Sequence, residues 1–371
     1  MNDGLEPVLL SSPDVGAVER EAILRAFDSG WIAPAGAELD AFEEELSSYT
    51  GSQACVALSS GTGALHLALL VAGVAPGDEV VVQSATFAAS AFAVVHAHAI
   101  PVFLDSDWGT WCMDAELLNN FLEDRAAQDR LPSAVMPVDL YGSCADYVAL
   151  SDVCERFDVA LVRDAAESLG SYSTTGRVGE IDAPTVVSFN GNKIITASSG
   201  GALLADRTTV DRARYLATQA RQPLMHYEHT DIGFNYRLSN LLAALGRAQL
   251  AGIERKIDRR TKIHDVYVAA FPELEFCSYA ATTRPNHWLT VALFDEGDPL
   301  KICEHLHSVG VQARPAWKPM HMQPVFSDSE YVDGHGVAAS LFSRGICLPS
   351  GSALTDSEVE RVIAEVAAVS R

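Results

Sequence analysis

The chain has 371 residues, 48% of them hydrophobic, which suffices for one large packed domain and a smaller one and excludes a disordered chain. Its 26 Lys and Arg against 49 Asp and Glu leave a formal charge of −23, which excludes a broad nucleic-acid footprint or an anionic-membrane patch. An anionic ligand must then be held by local devices, such as helix N-termini and a few placed cations.

The N-terminal stretch MNDGLEPVLLSSPD has no basic segment followed by an apolar core, so no signal peptide is expected. Seven cysteines with no Cys-x-x-Cys pair point to reduced thiols and a cytoplasmic location, and no metal site is expected. Val15, Val18, Ala22 and Ala26 recur at helical spacing before Gly30, which predicts an amphipathic helix over 13–29. A second helix, AELDAFEEELSSYTG, presents Leu39, Phe42 and Leu46 on one face and stops at Gly51. The rhythm then changes to short apolar runs: QACVALS, DEVVVQSA, IPVFLDSD, SAVMPVDLYG, VALVRDAA, TVVSFNG and GALLAD. Most are separated by segments of helical length, the last two only by a loop, and this alternation predicts a mostly parallel sheet covered by helices.

Val80 to Leu104 holds no Asp, Glu, Lys or Arg and is long enough to span a bilayer. Gln83, Ser84, Thr86, Ser90, His96, His98 and Pro101 interrupt it, so it divides into strand, loop, buried helix and strand. From Tyr236 a long helical stretch follows, and the texture after Pro272 is different. The expected division is a large domain over 1–251, with its N-terminal helical segment, and a smaller C-terminal domain over 252–371.

Four features fall on loops of the expected sheet. In SSGTGALHLALL, Ser59 to Leu70, a strand ends in small residues and a helix begins at once. Exposed backbone N–H groups with the Ser60 and Thr62 hydroxyls suit a phosphate there, and equally suit a capped αβ turn. Asp164 ends the run VALVRD, where a carboxylate serves either a protonated ring nitrogen or the cap of the next helix. Phe87 in QSATFAAS is either a face for a flat ring or a core residue. Lys193 in SFNGNKIITASSGG follows three turn formers at a strand end, five residues after Ser188, where the plain alternative is a solvated lysine. In this chain order the four describe one cofactor, pyridoxal 5′-phosphate (PLP). A lysine forms the Schiff base with its aldehyde, and an aspartate keeps its pyridine nitrogen protonated.

On these motifs, and on GWIAPAGAELDAFEEELSSYTG, DAAESLGS, DIGFNYRLSNLLAALGRAQL, RPAWKPMH and CLPSG, the chain resembles the DegT/DnrJ/EryC1/StrS aminotransferases of keto-sugars, usually nucleotide-linked. The resemblance covers nearly the whole chain. It implies a fold-type I PLP transferase of the aspartate aminotransferase kind, α/β, with a mostly parallel seven-stranded sheet and a smaller C-terminal α/β domain, working as a homodimer with shared active sites. It implies Lys193 as the lysine bonded to PLP, Asp164 at the pyridine nitrogen, Glu167 near the ring hydroxyl and Phe87 on the ring face. Ser60, Gly61, Thr62 and Ser188 surround the phosphate, with Asn235 of GFNYR supplied by the partner.

Lys193 argues against the relatives that carry histidine there and act as dehydratases. Two departures stand out. Relatives usually read T-G-E-G-G where this chain has Ala197-Ser198-Ser199-Gly200-Gly201, and an acidic residue often precedes the aspartate where this chain has Arg163. Strand alternation should turn Arg163 to the opposite face. The form SFNGNKIIT is like that of relatives aminating C4 of 4-keto-6-deoxy sugars, with L-glutamate as donor. Arg237, Arg314, Trp317, Lys318 and His321 are the substrate candidates. A 3-keto sugar, an aminocyclitol or other keto-substrate, and a non-catalytic PLP-binding regulator are the alternatives.

Overall fold

The alternation of short apolar runs with helical segments builds a sheet covered on both faces. The computed structural model describes residues 6–279 and 283–369, so the first five residues of the N-terminal stretch lie outside it. After α1 (Ala17–Asp28) and α2 (Ala37–Thr50) come β1 (Ala54–Leu58), α3 (Gly61–Val71), β2 (Glu79–Gln83), α4 (Ala88–His96) and β3 (Ile100–Leu104). Next are α5 (Ala115–Ala126), β4 (Ala134–Met136), α6 (Tyr147–Phe157), β5 (Ala160–Leu161), β6 (Arg163–Asp164) and a small hairpin, β7 (Tyr172–Ser173) with β8 (Gly176–Arg177). β9 (Thr185–Ser188), β10 (Gly201–Ala205), α7 (Arg207–Ala217), α8 (Asn240–Ala251) and α9 (Ile253–Ala270) follow. The chain then adds β11 (Glu275–Phe276), β12 (Thr290–Leu293), α10 (Pro299–Ser308), β13 (Arg314–Pro315), β14 (Tyr331–Val332), α11 (Val337–Arg344), β15 (Gly345–Leu348) and α12 (Asp356–Val369).

The large sheet runs β1-β10-β9-β6 and continues through β5 to β4-β2-β3-β14. Val162 separates β5 from β6, and the ladder persists across it: Val162 N–H donates to Val135 O at 2.9 Å and Asp164 N–H to Pro137 O at 3.0 Å. β2, β3, β4, β5 and β14 pair in parallel, as do β6 and β9. Only β10 runs against its neighbours β1 and β9. It is antiparallel because the Lys193 loop joins β9 to β10 with no crossover helix between them. All seven runs read from the sequence are strands of this sheet. The edge strand β14 was not expected; it is two residues contributed from far along the chain.

Alternation along each strand sorts the core. Val56, Leu58, Val80, Val82, Val186 and Leu203 face α3, α4 and α7. On the other side Cys55, Ala57, Val187, Ala202 and Leu204 face α2 and α8, while Val81, Val102 and Val135 face α5 and α6. Residues Gly63 to Leu69 of α3 are buried all round. Each of its fully buried leucines contributes roughly 1.5–3 kcal/mol, so the helix whose N-terminus enters the site is held firmly. α2 ends on Gly51 at φ 76°, as its sequence indicated. α1 differs from expectation. Ala22 and Ala26 pack on Ala244 of α8, but Val15 and Val18 are exposed, because only small residues let the two helices approach closely.

The long helical stretch breaks at Gly252 into α8 and α9. Beyond it, β11-β12-β15-β13 form a second, antiparallel sheet packed on α9, α10 and α12. Val8 pairs with Val311 and joins that core, so the N-terminal segment packs with the C-terminal part. Among the described residues no helix is long and apolar enough to cross a membrane.

Candidate active site

The carboxyl ends of β1, β2, β6 and β9 open on the same side of the sheet, where α/β folds keep their ligands. They enclose a cavity of about 220 Å³ lined by, among others, Ser60, Gly61, Thr62, Phe87, Asp164, Glu167, Ser188 and Lys193. That volume suits a ligand of one ring. A larger depression of about 920 Å³ lies between α1, α2 and α8, but its lining, with Glu38, Arg177 and Arg247, includes no lysine. The chemistry is concentrated in the smaller space. Among the described residues no group of three or more His, Cys, Asp or Glu side chains could hold a metal.

Ser60 caps α3, its Oγ accepting from Gly63 N–H at 3.0 Å. The preceding N–H groups, of Gly61 and Thr62, have no intrahelical acceptor and face the cavity end of the helix dipole. This anion seat depends on close approach. A Cβ at residue 61 would meet Cβ and Oγ of Ser188 at 3.2 Å, and one at 201 would fall 2.7 Å from Gly61 Cα. Ser199 steadies the strand end above, donating to Ser59 O at 2.7 Å.

Asp164 is buried at the end of β6. Its Oδ2 accepts from Ser90 Oγ at 2.7 Å and its Oδ1 from Ala166 N–H at 3.1 Å. Thr86 Oγ1 lies 2.7 Å from Ser90 Oγ, so a hydroxyl chain runs into the carboxylate. Burial pushes Asp164 above the usual carboxylate range, while Ser90, Ala166 and Lys193 pull the other way. Glu167 is buried too. Burial pushes it up to about 7, against the Lys193 ammonium and the Tyr141 N–H, which donates to Oε2 at 2.8 Å. Tyr141 makes that bond from a left-handed backbone at φ 54°, a strain of about 1–3 kcal/mol held at the site.

Lys193 is not a solvated lysine. Its side chain is 11% exposed, Nζ sits 3.2 Å from Glu167 Oε1, and the Trp288 ring centroid lies 3.8 Å away. Phe87 is not a core residue either. It is 59% exposed at the N-terminus of α4, with its ring 5.5 Å from that of Trp317. Trp317 also meets Tyr141 at 4.9 Å and Trp288 at 6.0 Å, forming an aromatic wall beside Lys193.

The remaining candidates are scattered. His321 shares a hydrogen bond of 2.7 Å with Ser84 and stacks on Tyr331 at 3.6 Å, and burial pushes its pKa down, which keeps it neutral. Lys318 is half-buried and Arg314 exposed on β13, and neither lines the cavity. Arg237 lies at the β1 end of the sheet and does not line the cavity. Its Nη1 pairs with Glu43 and donates to Ala57 O at 3.1 Å, a tie between α2 and β1 made by one of its three nitrogens. Asn235 is exposed and accepts from Gln219 at 3.0 Å, outside the cavity of its own chain.

Sequence reasoning missed Ser90, Thr86, Tyr141 and Trp288. Ser90 had a signal, since it lies in the first turn of the helix that Phe87 opens. Trp288 had none, arriving from the far half of the chain. Arg163 turns away from Asp164, as alternation required, and its Nε and Nη2 donate to Asp139 Oδ2 at 2.9 and 2.6 Å.

An amine that can bond an aldehyde, a buried carboxylate for a ring nitrogen, a hydroxyl-lined helix N-terminus for phosphate and an open aromatic face together fit PLP. The comparisons with known proteins agree. The model of the DegT/DnrJ/EryC1/StrS aminotransferase family matches residues 13–367. EpsN of Bacillus subtilis is 42% identical, covering 96% of this chain and 94% of its own. A GDP-perosamine synthase of Caulobacter vibrioides is 32% identical over 97% of each chain. Among solved structures, the PLP form of Spr1654 from Streptococcus pneumoniae matches with a TM-score of 0.89, at 25% identity and 98% of each chain. DesV of S. venezuelae matches with a TM-score of 0.86, at 28% identity over 95% of this chain and 94% of its own. With Lys193 present and a family model spanning nearly its whole length, the chain belongs to the DegT/DnrJ/EryC1/StrS family of PLP-dependent aminotransferases.

Proposed function

We propose that the enzyme moves an amino group from L-glutamate to C4 of a nucleotide-linked 4-keto-6-deoxy sugar carried on UDP, dTDP or GDP. The observation that carries this reading is the convergence of Lys193, Asp164 and Glu167 with the Ser60–Thr62 anion seat in one cavity. The nucleotide-sugar part is supported by the GDP-perosamine synthases among the relatives, 30–32% identical over at least 94% of this chain. The C4 position is supported by the form SFNGNKIIT. A 3-keto sugar is the second reading, favoured by a dTDP-3-amino-3,4,6-trideoxy-alpha-D-glucose transaminase of Streptomyces venezuelae, 31% identical over 92% of this chain.

When bound, PLP supplies an aldehyde that carries the amino group and a ring that accepts the electron pair left when a substrate proton is removed. Lys193 would hold it covalently; Ser60, Gly61, Thr62 and Ser188 would take the phosphate, Phe87 the ring face and Glu167 the ring hydroxyl. Asp164, oriented by Ser90 and Ala166, would face the ring nitrogen. Once free, the Lys193 Nζ takes the substrate proton and returns it, with Glu167 Oε1 close enough to share the charge. Arg237, Arg314, Trp317, Lys318 and His321 are the residues proposed for the sugar and diphosphate.

In this reading the enzyme is a cytoplasmic homodimer in which Asn235 completes the partner's phosphate seat. Leu224, Met225, Tyr227 and Ile232 are exposed on the segment leading to GFNYR, which supports a partner surface there. The test is the visible spectrum before and after L-glutamate, followed by a panel of 4-keto and 3-keto nucleotide sugars. Bleaching by glutamate and recovery with a 4-keto sugar is expected. Recovery only with a 3-keto sugar selects the second reading, and a spectrum that never responds with PLP present sinks both.

A further inference from the structure

Resting on the reading of Lys193 as the PLP lysine, we infer that Trp288 is a positioning residue whose indole face holds the Lys193 ammonium whenever that amine is free. Three groups of contacts carry the inference. First, Nζ lies 3.8 Å from the ring centroid on one side and 3.2 Å from Glu167 Oε1 on another, so the charge is shared between a π face and a carboxylate.

Second, the ring is locked. Trp288 is 2% exposed, and its Nε1–H donates to the carbonyl of Asn192, the residue next to the lysine, at 2.7 Å. Its own carbonyl accepts from Arg260 Nη1 at 2.6 Å, a buried guanidinium. Third, the same short segment holds the opposite wall. Asn286 Nδ2 donates to the carbonyls of Glu167 and Leu169 at 2.8 and 2.9 Å, and its Oδ1 accepts from Trp288 N–H at 2.8 Å. One segment from the C-terminal half therefore ties together the loop of the lysine and the loop of its carboxylate. A tryptophan placed only to fill the core needs neither the carbonyl of Asn192 nor a cation over its face.

The test replaces Trp288 site-specifically with indoles of increasing fluorination, which weaken the π face and keep both shape and Nε1–H. The reading is the rate at which Lys193 of the full-length, cofactor-stripped protein is acetylated at neutral pH, followed by peptide mass. An amine no longer held against the ring is freer to attack the reagent, so the rate should climb with each fluorine. Trp288→Leu should be faster by about 2- to 30-fold, with Trp288→Phe between. Borohydride reduction of the PLP-loaded wild type separately identifies the bonded lysine. A fluorine series that is flat in proteins unfolding at the wild-type temperature, with Lys193 labelled by borohydride, overturns the proposal alone. A label on another lysine overturns it together with the functional reading.

Discussion

Two buried charged centres lie on opposite faces of one strand, a residue apart, and they are finished to different degrees. Below β6, Asp139 takes the Nε and Nη2 of Arg163, the Ala145 N–H and the Tyr147 hydroxyl at 3.0 Å each, and the Ser168 hydroxyl. The guanidinium lies 4.1 Å from the Tyr147 ring centroid, and its Nη1 reaches Val178 O at 3.2 Å. Both oxygens of Asp139 are used, and four of the five guanidinium N–H groups have acceptors, one of them Cys144 Sγ at 3.6 Å. Above β6, Asp164 has two donors, Glu167 two, and Lys193 one carboxylate and one ring, around open space. A saturated buried pair builds the fold, whereas an unsaturated one retains free energy for a ligand.

The contrast breaks most sharply at the lysine. Lys193→Ala is expected to abolish borohydride-trappable PLP and reduce turnover by about 10⁴-fold while leaving the far-UV spectrum and the unfolding transition near wild type. Turnover within tenfold of wild type would remove Lys193 from the mechanism. At the saturated centre, Asp139→Asn strands the Arg163 cation, and a loss of about 3–5 kcal/mol in denaturant unfolding is expected. A loss below about 1 kcal/mol would mean that water reaches the pair and that the two centres are alike.

Glu167 sharpens the comparison through pH. Its folded pKa of about 7 lies above the 4.5 of the unfolded chain, so its contribution is complete below pH 4.5 and disappears as pH rises through 7. Glu167→Gln should remove a decline of about 3 kcal/mol across that window, measured by unfolding midpoints at a series of pH values. An unchanged slope would assign the decline to other groups. Ser90→Ala takes one donor from Asp164 and should weaken PLP binding by about tenfold, since hydrogen bonds to charged groups contribute about 1.5–3 kcal/mol. Equal reconstitution of the apo-protein would show Asp164 independent of the hydroxyl chain. The smallest effect is in the lysine loop. Ser198 stands at φ 67°, in the left-handed region that favours glycine, and Ser198→Gly should gain at most about 1 kcal/mol, visible as a slightly higher midpoint.

Much of this was legible in advance. The phosphate turn could be read because capping hydroxyls, glycine and an apolar helix follow within a few residues, and Asp164 and Lys193 because each ends an apolar run at a turn. Arg163 was readable through the two-residue period of a strand. The tie between Arg237 and Glu43 was not legible, since a motif cannot show a partner 194 residues away. β14 escaped notice for a similar reason. Two residues have no period of their own, and Tyr331–Val332 are strand only because the β3 edge accepts them.

By itself the sequence determined the main helices and strands, the mostly parallel sheet and which loops line the cavity, because each depends on side-chain spacing over a few residues. The tertiary structure decided which buried charges are satisfied. Asp139 is closed by five donors and Lys193 is left between Glu167 and Trp288, because the partners of a desolvated charge are chosen by distance in space after the chain has closed.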